Sequence, residues 1–176
     1  MKLKKNLKIP IDKFINLSLY SKDYGYYMKK DPFGEKGDFI TAPNISRLFS
    51  EMIAIWVISF WQSLGSPKKF NLIELGAGNG EMMKIIIESF ESFPSFLNFC
   101  NLIIHEKSPS LIKIQKKKLS KYKINWASNL SEIKKLPCIF IANEFFDSIA
   151  IKQFKKRENL WFERYVNLNE NNAYFF

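Results

Sequence analysis

Three glycines on alternate positions follow a short apolar run, and this part of the sequence is the best suited to bind a small molecule. They are Gly76, Gly78 and Gly80. Residues 70–75 have the length and composition of a short buried strand, and apolar residues recur at helical spacing over residues 82–93. A strand, a glycine turn and a helix bring backbone N–H groups close to a ligand. The pattern predicts a ligand-binding turn, and the alternative is a strand–turn–helix corner whose glycines only allow tight packing.

Two acidic residues flank the glycine turn and bear on the identity of its ligand. Glu74 stands before the first glycine and Glu81 after the last. A dinucleotide site has the pattern G-x-G-x-x-G, whose third glycine would fall where Glu81 stands. Carboxylates repel a pyrophosphate, whereas they suit a ligand with cationic groups, such as the sulfonium and amino groups of S-adenosylmethionine. The turn therefore favours S-adenosylmethionine over NAD.

A further acid stands at the carboxyl end of the next predicted strand, residues 102–106. In nucleoside-binding α/β folds an acid at this place accepts hydrogen bonds from both ribose hydroxyls, so Glu106 is a candidate ribose ligand. The alternative is a solvated charge at a strand end. His105 is the only histidine, and strand alternation turns it away from Glu106, so we predict a structural role for it.

Polar residues also follow the fourth predicted strand, residues 138–142, which is apolar throughout and therefore predicted to be central. Asn143, Glu144 and Asp147 come next in the chain. Open α/β sheets bind ligands at the carboxyl ends of their strands. These residues are therefore candidates for the reacting end of the same site.

The N-terminal third of the chain is predicted to cover this site. Residues 11–20 form a loosely amphipathic helix, and residues 24–43 form a loop dense in glycine, proline and aromatic residues. Such a loop either binds a ligand or is merely held to the body by its tyrosines. A helix then begins at Asn44 and ends at residues 65–67, and because it is apolar over most of its circumference we expect it to be mostly buried.

The remaining elements complete an alternating α/β pattern and then depart from it. We predict a helix over residues 109–122 and a strand over residues 123–128, where Trp126 either fills core or flanks an adenine. Residues 151–176 then contain three short antiparallel strands, the last two joined by a turn at residues 169–172.

Composition limits the partners and the location of the protein. The 176 residues include 27 Lys and Arg against 17 Asp and Glu, a net charge of +10. Lysine supplies nearly all of it in a chain also rich in Ile, Asn and Phe, which indicates a genome-wide bias rather than a nucleic-acid-binding surface. Cys100 and Cys138 are predicted free thiols of a reducing compartment, without metal-ligand spacing. We expect no signal peptide, no membrane insertion, no nucleic-acid partner and no metal.

Four blocks of sequence resemble the MidA-type methyltransferases and occur in that family's order. They are G-D-F-I-T-A-P (37–43), I-S-R-L-F-S-E-M (45–52), E-L-G-A-G-N-G (74–80), and N-E-F-F-D (143–147) followed by W-F-E-R (161–164). The resemblance implies a Rossmann-like class I methyltransferase sheet of strand order 3-2-1-4, with a helical and loop cap before it and an antiparallel β segment after it. Ala77 and Asn79 stand where the family often has proline and arginine, and neither breaks the glycine spacing.

The resemblance also implies a cofactor, a substrate and roles for residues. The family includes the mitochondrial complex I assembly factor, so it implies S-adenosylmethionine as cofactor and an arginine of a complex I subunit as substrate. The expected cofactor-binding residues are Gly37, Asp38, Thr41, Glu74, Gly76, Gly78, Gly80 and Glu106. The expected catalytic residues are Asn143, Glu144 and Asp147, because an acid at the methyl donor's end can orient a guanidinium. The location would be the bacterial cytoplasm, or the mitochondrial matrix in a eukaryote.

Length is the main departure from the family, whose members are roughly twice as long and have later sheet strands. The predicted strand at residues 138–142 would then be an apolar edge without charge or proline, which proteins normally avoid. We expect an N-terminal half, with the C-terminal half cut off or on a separate chain. Its parts would be a cap (1–66), a partial cofactor-binding core (67–150) and the start of a truncated insertion (151–176). The alternatives are a non-catalytic binding or assembly module and, more weakly supported, a nucleotide-dependent oxidoreductase.

Overall fold

The computed structural model describes residues 7–29, 32–34, 37–168 and 173–175, and divides them between two compact units. One unit comprises residues 30–145, and the other comprises residues 1–29 with 146–176. The helices are α1 (Ile11–Tyr20), α2 (Tyr26–Lys29), α3 (Ala42–Ile45), α4 (Arg47–Ser63), α5 (Glu81–Phe90), α6 (Pro94–Phe99) and α7 (Pro109–Lys118). The strands are β1 (Leu7–Pro10), β2 (Phe70–Leu75), β3 (Cys100–His105), β4 (Ile124–Ala127), β5 (Cys138–Ile141), β6 (Phe154–Arg157), β7 (Leu160–Glu163), β8 (Tyr165–Leu168) and β9 (Ala173–Phe175).

The larger unit is built on a parallel sheet of four strands in the order β4-β3-β2-β5. Leu72 in β2 lies opposite Leu102 in β3 on one side and Ile139 in β5 on the other. This is the predicted order 3-2-1-4, and the fold class is confirmed. Since parallel strands need crossover connections, the helical segments between them lie against the sheet, and the carboxyl ends of all four strands share one edge.

The core of this unit lies where α4 and α5 pack on one face of the sheet. Leu72, Ile104 and Ile139 from the sheet are buried there together with Ile86 and Phe90 from α5. Full burial of each such side chain stabilises the fold by about 1.5–3 kcal/mol. This packing fixes α5 directly behind the glycine turn that precedes it.

The helix α4 is much less buried than its sequence predicts. Its fully buried residues are Ser50, Ala54 and Val57, on the side that packs against α5. Apolar side chains that remain exposed are Leu48, Met52, Ile55, Trp56 and Phe60. The expectation of a mostly buried helix is therefore wrong, because an apolar pattern around a whole helix shows what the helix can bury rather than what covers it.

Other elements also differ from the prediction. The helix predicted from Asn44 is divided into α3 and α4 at Ser46, whose backbone is extended. Pro94 begins α6 rather than ending a helical pattern, because proline fits the first turn of a helix. The strand β1 was not predicted, since its apolar residues stand in a lysine-rich segment.

Among its described residues, the smaller unit contains four antiparallel strands within residues 151–176 where three were predicted, because the segment predicted as one strand is divided at Arg164 into β7 and β8, which belong to different sheets. The strands β6 and β7 form a hairpin, β8 pairs with β1 and β9, and Ile11, Val166 and Leu168 form a small core. The turn predicted at residues 169–172 lies outside the described residues, and the division at residues 66 and 150 stays a prediction. No helix among the residues described has the length and apolar character needed to cross a membrane.

Candidate functional site

The glycine turn leaves β2 with all three glycines in the left-handed region of backbone conformation. The φ angles of Gly76, Gly78 and Gly80 are 67°, 53° and 80°. A residue with a side chain loses roughly 1–2 kcal/mol in this conformation. A Cβ atom added at Gly76 would lie 2.6 Å from the ring of Phe145, and one at Gly78 would lie 3.3 Å from the ring of Phe33. Two aromatic rings therefore lie against the turn, and a side chain at Gly76 would displace the ring of Phe145, whereas one at Gly78 would require only a small shift of the ring of Phe33.

Glu74, the second-last residue of β2, has a buried carboxyl group that lacks a hydrogen-bond partner on one oxygen. The residue is 2% exposed, and its Oε2 atom contacts no donor in the described structure. Burial, and secondly the negative charge of Glu106, raises the pKa of Glu74 to about 8. An unsatisfied buried carboxyl is costly, and a cation beside it would favour its ionised form. Glu74 is therefore suited to a ligand with a positively charged group.

Glu106 follows β3 directly and is buried as well, but hydrogen bonds hold its carboxylate. Its Oε1 atom accepts the backbone N–H groups of Lys107 and Ser108 at 2.8 and 2.9 Å. Its Oε2 atom accepts a longer bond of 3.3 Å from the side-chain amide of Gln115. Burial raises the pKa of Glu106, and these donors oppose that shift because they stabilise the charged form. The carboxylate is thus fixed in direction before any ligand arrives.

Gln115 connects the glycine turn with Glu106, and sequence reasoning missed it. Its Nε2 atom also donates to the carbonyl oxygen of Gly78 at 2.8 Å, and its Oε1 atom accepts the indole N–H of Trp126 at 2.9 Å. The residue is completely buried. A signal was present in the sequence, since Leu111, Gln115 and Leu119 stand four residues apart on the inward face of α7. A polar residue within an apolar stripe requires a buried partner.

The loop before α3 is tied to the glycine turn through two asparagines. Asn44 donates to the hydroxyl of buried Thr41 at 3.0 Å, and Asn79 in the turn donates to the side-chain oxygen of Asn44 at 3.3 Å. Gly37 lies where a Cβ atom would be 2.3 Å from a backbone oxygen, so this bend requires glycine. Asp38 is exposed. The structure thus brings Thr41 to the predicted site, and the closing of this loop over a cofactor stays a prediction.

The residues predicted to be catalytic follow β5, which lies beside β2. Asn143 is half-buried, and Glu144 is exposed with a φ angle of 48°, a conformation that costs a residue with a side chain about 1–3 kcal/mol. Asp147 is exposed and lies in the 3-10 turn Phe146–Ser148 of the other compact unit. The catalytic roles of all three stay predictions.

Glu81 differs from Glu74 in having a partner. The Nζ atom of Lys118, in the last turn of α7, lies 2.6 Å from its Oε2 atom. The prediction that both acids present unpaired negative charge to the ligand is therefore wrong for Glu81, because Lys118 on α7 offsets the charge of this residue at the start of α5. Within the described ranges no three histidine, cysteine or acidic side chains stand close enough together to hold a metal ion.

Residues 52–175 match the profile of a family described as S-adenosyl-L-methionine-dependent methyltransferases. The chain is 32% identical to the mitochondrial protein arginine methyltransferase NDUFAF7 of Homo sapiens, over 96% of its own length and 44% of that protein. It is 31% identical to the Xenopus tropicalis protein of the same name, over 96% and 45% of the two chains. The chain thus spans less than half the length of these curated relatives.

Solved structures of about twice the length share the same fold. A bacterial protein from Burkholderia thailandensis, crystallised with S-adenosyl-homocysteine, superposes with a TM-score of 0.80 at 23% identity, over 96% of this chain and 45% of that one. A native crystal structure from the same organism gives a TM-score of 0.73 at 22% identity, over 96% and 43%. At these identities the likeness establishes the arrangement of strands and helices.

Proposed function

This chain belongs to the MidA-type family of S-adenosyl-L-methionine-dependent methyltransferases, and we propose that its larger unit binds S-adenosylmethionine at the glycine turn. The observation that carries the proposal is the unpartnered, buried Oε2 atom of Glu74 at the start of a turn of three glycines with positive φ. A carboxyl group in that state is suited to a cation that is absent from the free protein.

The residues present fit two polar parts of this cofactor, the amino group of its methionine moiety and the hydroxyl groups of its ribose. Glu74 would accept the amino group of the methionine moiety, while the turn of Gly76, Gly78 and Gly80 allows the backbone to approach it. Glu106 would accept the ribose hydroxyls, since its Oε2 atom receives only one long hydrogen bond from the protein. A pyrophosphate would fit worse, because two buried acids lie at this edge of the sheet.

When bound, S-adenosylmethionine supplies a methyl group that its sulfonium charge already activates. The chain's own residues then have to position the two reactants and exclude water. Asn143 and Glu144 are our candidates for facing the acceptor, because they follow the strand next to β2. The carboxylate of Glu144 would orient and neutralise a guanidinium through paired hydrogen bonds. Asp147 and the loop residues Gly37, Asp38 and Thr41 remain candidates from the family resemblance.

The substrate we propose for the complete protein is an arginine of another protein. The curated relatives are named protein arginine methyltransferases and mitochondrial. A subunit of respiratory complex I as target, a mitochondrial matrix location in a eukaryote, and a cytoplasmic one in a bacterium follow from the family resemblance alone. Because the chain spans less than half of these relatives, the substrate and the location are proposals for the whole protein.

Calorimetric titration of the chain with S-adenosylmethionine, S-adenosylhomocysteine and NAD tests the cofactor assignment. We expect both S-adenosyl compounds to bind at least about tenfold more tightly than NAD, a difference of about 1.4 kcal/mol. Tighter binding of NAD would show that the turn is a dinucleotide site. A transfer assay with a labelled methyl group and arginine-containing peptides then separates an active enzyme from a module that binds the cofactor without turnover.

A further inference from the structure

Gln115 has a set of contacts that only a primary amide can make. Trp126 offers an N–H donor and nothing else, so it fixes the amide with its oxygen toward the indole. The two N–H groups of Gln115 are thereby directed at the carbonyl oxygen of Gly78 and at the Oε2 atom of Glu106. One side chain thus holds the middle of the glycine turn and the carboxylate at the end of the neighbouring strand.

The two oxygens of Glu106 differ in what they have left to offer a ligand. Its Oε1 atom already receives two backbone N–H groups, whereas its Oε2 atom receives only the amide of Gln115. Oε2 is therefore the oxygen with capacity for ligand hydroxyls. The amide of Gln115 is the only protein donor recorded on that oxygen in the described structure, so it restrains Oε2 while the two backbone N–H groups restrain Oε1.

We propose that Gln115 is a positioning residue that sets how strongly the site selects a cofactor with an intact ribose diol. This inference rests on the proposed function, in which Glu106 accepts the ribose hydroxyls. Because Gln115 also holds the carbonyl group of Gly78, the hydroxyl acceptor and the glycine turn keep one fixed spacing. Without the amide, two backbone N–H groups still hold the Oε1 atom of Glu106, but its Oε2 atom loses the one protein donor recorded on it and is held less firmly.

The test compares the affinity of the chain for S-adenosylhomocysteine with its affinity for the analogue that lacks the ribose 3′-hydroxyl. For the unaltered chain we expect the analogue to bind about tenfold more weakly, as for the loss of a hydrogen bond to a charged group. In Gln115→Met, which has nearly the same volume and no donor, this ratio should fall to about twofold or less. In Gln115→Leu the donor is likewise lost, so the same fall is expected.

Lys118→Met is the matched control, because Lys118 stands on the same helix and joins it to Glu81 without contacting Gln115 or Glu106 in the recorded bonds. The ratio of its affinities for S-adenosylhomocysteine and for the analogue without the 3′-hydroxyl should stay that of the unaltered chain. The inference is overturned if either Gln115 variant keeps the full ratio, and Gln115→Leu decides the question should Gln115→Met fail to fold. If the unaltered chain binds neither compound, the proposed function and this inference fail together, whereas an unchanged ratio in a variant that binds overturns the inference alone.

Discussion

The carboxyl ends of β2 and β3 each carry a buried acid, and the two acids are satisfied in opposite ways. Glu74 has an oxygen without any hydrogen-bond partner, and its pKa is raised to about 8. Glu106 receives two backbone N–H groups and the amide of Gln115. One acid therefore keeps an oxygen without a hydrogen-bond partner, whereas the protein supplies donors to both oxygens of the other.

This difference matches the two kinds of group that a nucleoside with a charged tail presents. Hydroxyl groups are neutral and gain most from an acceptor whose direction is already fixed, as in the Glu106 carboxylate. An ammonium group is positively charged. Beside Glu74 it would lower the pKa of the carboxyl group, which burial raises in the free chain. A single ligand that spans the glycine turn would use both acids at once.

A substitution in the glycine turn, which follows Glu74 in the chain, should have the largest effect on cofactor affinity. In Gly78→Val the backbone of a β-branched residue would have to keep a φ angle of 53°. Its side chain would also press on the ring of Phe33, which lies 3.3 Å from the added Cβ atom. We expect S-adenosylhomocysteine to bind at least about 100-fold more weakly, or about 3 kcal/mol, measured by calorimetry. The free energy of unfolding should fall by only about 1–2 kcal/mol from backbone strain.

Gly65→Val supplies a matched control for backbone strain. Gly65 also has a positive φ angle, 81°, but a Cβ atom there meets nothing within 4 Å. This variant should lose comparable stability and keep its affinity for the cofactor. Equal affinities in the two variants would mean that the glycine turn is not the site.

Replacing the unsatisfied acid should change how stability depends on pH. The pKa of Glu74 rises from an ordinary 4.5 to about 8 in the folded chain, so between these values the folded state holds a proton that the unfolded state has released. The free energy of unfolding should therefore fall as the pH rises through this window, by a few kcal/mol in all. In Glu74→Gln the part of this fall that comes from Glu74 should vanish, and the part that comes from the raised pKa of Glu106 should remain.

Urea denaturation of the unaltered chain and of Glu74→Gln at pH 4 and pH 8 checks this prediction, and the measurement at pH 4 serves as the control. At pH 4 the carboxyl is protonated in both states, so the two proteins should have similar stability. At pH 8 Glu74→Gln should be the more stable, although it binds S-adenosylmethionine more weakly. Parallel pH profiles for the two proteins would contradict the description of Glu74 as an unsatisfied buried acid.

The sequence allowed the site to be located where local pattern decides the structure. A buried strand followed by an acid and a glycine turn predicts where Glu74 and Gly78 lie, and Glu106 follows from the next strand. The order of the parallel strands was predicted as well, with help from the family resemblance. These features depend on neighbours along the chain and on the direction of parallel strands.

The parts that were missed depend on contacts between distant segments. Gln115 stands out only as one polar residue within an apolar stripe, and its partners Gly78 and Trp126 are 37 and 11 residues away. The pairing of Glu81 with Lys118 likewise joins residues 37 apart. The exposed side of α4 was predicted to be buried because periodicity reports the character of a helix face and not its surroundings.

The smallest expected effect on stability comes from the start of α7, whose cap residue also holds Glu106. Ser108 caps α7, its hydroxyl accepting the N–H of Leu111 at 3.2 Å, while its own backbone N–H donates to Glu106. Ser108→Ala removes the cap but leaves that backbone donor in place, so we expect a loss of about 1 kcal/mol in unfolding free energy and little change in cofactor affinity. Ser108→Thr keeps a capping hydroxyl and should restore most of the stability.

The same pair of variants sharpens the comparison between the two acids. Because the cap acts on the start of α7 through a hydroxyl group that does not titrate, its loss should lower stability equally at pH 4 and pH 8 and leave the pH dependence that comes from Glu74 unchanged. Urea denaturation of Ser108→Ala at both pH values measures this. If the variant altered the pH dependence as strongly as Glu74→Gln does, the two carboxylates would have to be treated as one coupled group. The contrast between Glu74, which has an oxygen without a hydrogen-bond partner, and Glu106, whose oxygens receive protein donors, would then be lost.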